Sequence, residues 1–192
     1  MRSSHLLESL KNDSEAIDSI FLKNFLTLTD NQLNWKPSEK SWSISECIEH
    51  IILSGQYYLE EIEKQFLKIT PAAEPLDIDF HSGVFGNFSK NSMKPTDNGM
   101  IRFKMKTMKR MDPSKSNIDT RKLFSEFENY QKNILILIEK SRYYNINEIK
   151  IRSSIGRIIR FNLGNAFRFV IAHNQRHIQQ AMNVFQHENF PK

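Results

Sequence analysis

The sequence predicts an all-α protein: a four-helix bundle with one long connection between its second and third helices. Three observations predict it. Apolar residues recur at intervals of three and four over four long, separate stretches, the spacing of one helix face. Gly and Pro number only six each in 192 residues, a composition that favours helix. The one long lapse in the apolar rhythm, residues 70–117, falls between the second stretch and the third.

The first stretch, Ser4 to Leu28, carries Leu6, Leu7, Leu10, Ile17, Ile20, Phe21, Phe25 and Leu28 with polar residues between them. Asp30 to Lys40 breaks the rhythm with Asn31, Asn34 and Pro37 and is expected to be a loop. Ser43-Ile44-Ser45-Glu46 is a capping box: the Ser43 hydroxyl accepts from the Glu46 N–H and the Glu46 carboxylate reaches back. Trp42, just before the cap, is placed to pack on Cys47 as a hydrophobic staple. The second helix runs from Ile44 to about Lys68. Gly55 inside it costs helix propensity and points to close packing against a neighbour.

From Thr70 to Asn117, four prolines and three glycines punctuate a segment far longer than an ordinary connection. Its apolar residues (Phe80, Val84, Phe85, Phe88, Met93) argue for packing over the body of the fold. Its second half, Ile101 to Met111, alternates basic and apolar residues, which fits a short strand or an edge segment with its cations outward. The third helix starts near Asp119 or Thr120 and ends around Lys140. Residues 141–160 are mixed, and Asn145 to Ile151 reads as a loop with room for extended structure. Asn162 is a plausible N-cap for the fourth helix, Leu163 to about Gln186.

Residues 1–192 are expected to form a single domain, with enough chain to bury a core without disulfides. Cys47 is the only cysteine, which excludes a disulfide framework and a Cys-rich zinc site and fits a reducing cytoplasm. No apolar run approaches membrane-spanning length. The N-terminal residues meet charge too early for a signal peptide. The net charge of +5 suits an acidic small-molecule substrate, but the basic stretch near Arg102–Arg110 lacks the aromatic platform of a nucleic-acid binder.

Candidate chemistry centres on His173 and His177, four residues apart and therefore one turn above the other on one helix face. Two imidazoles at this spacing bind one metal ion if another element brings a third ligand. His50 stands in the second turn of the capped helix, close to its apolar stripe. Packing that helix beside the fourth would complete a three-histidine site with open positions, the form of a catalytic zinc site. Neutral imidazoles suit Zn, Ni, Fe or Mn alike.

Gln180, three residues past His177, is placed to orient a ligand or a bound water; a bundle-boundary role suits it equally. Arg176 fits an acidic substrate group or, more simply, an ordinary surface or bundle-edge salt bridge. Glu46 is explained by its cap before any role as general base. Glu49 is expected to be solvated, and Cys47 to be a small buried hydrophobe. His81 lies in the long connection, where a lid would bring it to the site; His5 and His187 read as incidental. Trp35 and Trp42 read as core.

Two separated segments resemble the DinB-like family of four-helix bundle proteins, which includes relatives of bacillithiol and mycothiol S-transferases. Trp42-Ser43-Ile44-Ser45-Glu46-Cys47-Ile48-Glu49-His50 is similar to the family's W-S-x-x-E-x-x-x-H segment. His173-Asn174-Gln175-Arg176-His177-Ile178-Gln179-Gln180 is similar to its H-x-x-R-H-x-x-Q segment. The basic Lys104 to Arg110 resembles the connecting segment of some members. The resemblance implies His50, His173 and His177 as ligands of a divalent metal, zinc or nickel, and a homodimer. It further implies thiol S-transfer with a low-molecular-weight thiol. Metal-dependent hydrolysis of an amide or ester and a non-catalytic, stress-associated bundle that binds metal or ligand are the competing expectations.

Overall fold

The computed structural model describes residues 1–96, 107–115, 118–154 and 156–192. Among them are six α-helices and a small two-stranded sheet. Four helices are long: α1 (Ser3–Asn24), α3 (Ile44–Phe66), α5 (Thr120–Lys140) and α6 (Leu163–Phe185). Between them lie α2 (Asp30–Asn34), α4 (Gly83–Met93) and a hairpin of β1 (Lys150–Ser153) and β2 (Gly156–Asn162). The chain is mostly helical, as its sequence predicts.

The four long helices share one core. α3 packs most extensively on α6 and next on α5, while α1 closes the other side against both α6 and α5. Phe21, Phe127, Phe167, Ile48 and Ile51 are among its fully buried side chains. Burial of each such side chain contributes about 1.5–3 kcal/mol. Gly55 behaves as its position suggested. A Cβ there would stand 2.3 Å from the Tyr130 hydroxyl, so only glycine lets α5 bring that ring onto α3.

Local signals set the ends of the site-bearing helices. Ser43 caps α3: its side chain accepts from the Glu46 N–H at 3.2 Å, and the Ser43 N–H donates to the Glu46 carboxylate at 2.8 Å. Asn162 caps α6 by accepting from the Asn165 N–H at 2.9 Å.

Several elements depart from expectation. The first helix ends at Asn24 rather than Leu28, because the chain turns at Phe25. The expected loop at 30–40 begins with α2, started by a second capping box between Thr29 and Gln32. In the long connection, residues 76–80 run beside the N-terminus: the Ser3 N–H donates to the Ile78 carbonyl and the Phe80 N–H to that of Met1. α4 follows, opened by Gly83 at a φ of 65° that a side chain would resist. Phe80 and Met93 are buried, as expected of packing residues, but Val84 and Phe88 face outward. The proposed basic strand from Ile101 lies outside the described residues as far as 106. Its tail is loop ending in a 3-10 turn, Lys109–Met111. Of the segment 145–151 only the last two residues are strand, after a turn at 146–148: β1 begins at Lys150 and pairs antiparallel to β2 with Ile151 opposite Phe161.

Candidate metal centre

α3 and α6 run antiparallel where they meet. The His50 ring centroid lies 5.0 Å from that of His173 and 4.4 Å from that of His177, and Tyr58, two turns on, meets Phe169. One potential ligand atom from each histidine falls within 4.8 Å of the others. Among the described residues, this is the group of metal-ligating side chains that comes together.

The partners of the rings decide which nitrogens face inward. His50 Nδ1 is 2.7 Å from the Met111 carbonyl oxygen, which can only accept. Nδ1 therefore carries the proton and Nε2 keeps its lone pair. His177 Nδ1 is 3.1 Å from Gln180 Oε1, which orients that ring in the same sense. His173 has Nδ1 3.5 Å from the Ser54 hydroxyl, whose own proton goes to the His50 carbonyl. His50 Nε2 and His173 Nε2 face each other at 3.2 Å. Two nitrogens bound to one tetrahedral ion at ordinary zinc distances stand about 3.3 Å apart. The donor set and this spacing therefore fit a divalent ion. Without one, a proton has to sit between these two nitrogens.

Electrostatics keep the imidazoles neutral. His173 is pushed down to about 3, first by burial and then by His50 and Arg176, against a hydrogen bond to Asn174. His177 lies well below the usual histidine range for the same reasons, burial first. Burial also lowers His50, opposed by Met111 and Asp112. Neutral imidazole is the form that binds metal.

The three histidines line a cavity of about 640 Å³. Trp42 lines it too, its ring 4.9 Å from His50 and 5.6 Å from His177. Arg176 lines it and is buried at 7% exposure, so it is not a surface residue. Gln180 lines it from one turn beyond His177. Glu46 does not line it: one carboxylate oxygen serves the Ser43 cap and the other pairs with Lys36 at 2.7 Å. Cys47 is wholly buried, its thiol pushed up by burial and by the neighbouring Glu46 carboxylate. Glu49 is half-buried rather than solvated, and burial raises its carboxyl. His81 is exposed and stays out of the cavity, with its backbone held by Asn147 and Asn162. His5 is exposed on α1.

Sequence reasoning missed three contributors. Trp42 read as core and His187 as incidental, yet both line the cavity. Met111 carried no signal at all, since it acts through its backbone carbonyl from 61 residues away.

The fold and site together define a helical protein with an open three-histidine group able to hold a metal ion. The chain belongs to the DinB superfamily, whose family model matches residues 19–181. Searches of curated proteins and of solved structures return no match. No helix among the described residues is long and apolar enough to cross a membrane.

Proposed function

We propose that this chain is a metal-dependent enzyme on a four-helix bundle, using a low-molecular-weight thiol in S-transfer to a small electrophile. The observation that carries the reading is the convergence of His50, His173 and His177 on one wall of a 640 Å³ cavity. These three would hold a divalent ion, zinc or nickel by the family resemblance. When bound, such an ion supplies Lewis acidity that deprotonates a thiol near neutral pH.

The protein's own groups do the rest. Met111 and Gln180 hold the proton on Nδ1 of His50 and His177, so Nε2 remains a donor to metal. Trp42 packs against the rings of His50 and His177, and Met108 and Met111 also line the cavity.

Amide or ester hydrolysis fits less well. It asks for a base that moves a proton to the leaving group. No carboxylate lines the cavity among the described residues, and Glu46 is committed to its cap and to Lys36. The lining histidine outside the ligand group, His187, stands beyond the end of α6, ten residues past His177. Thiol transfer places no such demand.

A panel of low-molecular-weight thiols against an electrophilic dye tests the reading. The expected result is saturable conjugation by at least one thiol, abolished by chelator and restored by zinc or nickel. Ester turnover with every thiol silent would make the protein a hydrolase, and metal binding with neither activity would make it a non-catalytic bundle.

A further inference from the structure

The lining of the cavity changes character along α6. On the Tyr58 side of the histidines it is uncharged, with Phe169 and Val170 of α6 facing Tyr58 and the hydroxyls of Ser54 and Ser154. On the other side, Gln180, Asn183 and His187 follow one another along α6 and just past its end. Lys40 and Ser41, from the loop before α3, also line the cavity. The 5.4 Å contact between Trp35 and His187 brings the stretch before α3 to that same end.

Charge divides in the same way. The described lining residues include two cationic side chains, Lys40 and Arg176, and no Asp or Glu. Arg176 is buried beside the histidines, where its charge is felt at both His173 and His177. Lys40 is exposed at the rim. His187 Nδ1 accepts the Asn189 N–H at 3.2 Å, so its Nε2 carries the proton and is a donor. This end therefore offers Lys40 and the His187 Nε2–H as donors, with the positive charge of Arg176 beside them, and charge-assisted hydrogen bonds are strong away from bulk water.

We propose that the Lys40–Arg176–His187 end of the cavity is an anion-recognising subsite for a carboxylate- or phosphate-bearing small molecule. The other end takes the uncharged reaction partner, and the three-histidine group lies between the two. The proposal rests on reading that group as the reacting centre. It assigns Lys40 and Arg176 to substrate selection rather than to chemistry.

Calorimetric titration of the protein as purified, in low salt, tests it with mercaptosuccinate and the neutral 2-mercaptoethanol, with metal content measured on the same samples. Mercaptosuccinate should bind tighter by about tenfold or more, as expected for ion-assisted hydrogen bonds. Added salt should narrow that gap. So should Lys40→Gln, leaving 2-mercaptoethanol unchanged, and Arg176→Gln, compared with wild type at equal metal content; because Lys40 is exposed, its variant stays informative if Arg176→Gln misfolds. No gap in the wild type, or a gap intact in every folded variant, would overturn the subsite. A chain without metal that still bound succinate but not succinamide would remove the metal centre and keep the subsite. A metal-replete chain with no gap would do the reverse.

Discussion

On one side of the cavity, the histidines stand on α3 and α6, each 23 residues long and buried through its opposite face in the common core. On the other, α4 is 11 residues long and leaves Val84 and Phe88 exposed. Polar contacts help tie the start of α4 to α6: Arg168 reaches Ser82 and Asn87, and the Asn165 amide donates to the Ser82 carbonyl. The ligand wall owes its position to apolar packing, which resists small displacements. The covering wall hangs in part on hydrogen bonds, each of modest net worth. The Met111 carbonyl that sets the His50 tautomer comes from a third place, the 3-10 turn Lys109–Met111, which packs on α3. Ligand placement and ligand protonation thus depend on different parts of the chain.

Four perturbations separate these walls. The largest effect is on metal: His173→Ala should lose stoichiometric zinc or nickel after purification without a histidine tag, a drop of at least about 100-fold in affinity for a site losing one of three ligands. Elemental analysis beside wild type reads it. Next, Phe167→Ala empties a fully buried site in α6 and should cost about 3–5 kcal/mol by urea unfolding. Val84→Ala, on the outward face of α4, should change stability by less than about 0.5 kcal/mol.

The third is pH. His173 has its folded value pushed down to about 3 from 6.5, so between those values the unfolded chain binds a proton that the folded chain refuses. Stability of the metal-free protein should therefore fall as pH falls through 6.5 and level off near 3. Thermal unfolding across that window measures it; a flat profile would show that the imidazoles are not held neutral. The fourth is Arg168→Ala. It should cost only about 1 kcal/mol globally, while amide exchange quickens across residues 83–93 and not across α3. Equal quickening in both would erase the distinction between the walls.

Much of the ligand wall was legible because its determinants are local. Ser43 with Glu46, and Asn162 before Leu163, fix helix starts within one turn, and i,i+4 spacing alone puts His173 and His177 on one face. The covering wall was less legible because its determinants are distant. Gly83 and Gly86 read as breakers, and α4 persists because α6 accommodates it: a Cβ at Gly86 would stand 2.4 Å from the Asn165 side chain. The hairpin depends on pairing Ile151 with Phe161, a register no single short run announces. α2 is different. Thr29 and Gln32 form a local capping box, masked by the breakers Asn31, Asn34 and Pro37 around it. The cavity roles of Trp42 and His187 appear only when α3 and α6 are side by side.

The central claim is that three imidazoles from two helices bind one ion through Nε2. X-ray absorption of the zinc- or nickel-loaded protein tests it most directly. The account predicts three histidine nitrogens at about 2.0–2.1 Å for zinc, with the remaining position filled by a light atom or, after a thiol is added, by sulfur at about 2.3 Å. A first shell with fewer than two imidazoles, or one unchanged in His50→Ala, would contradict it.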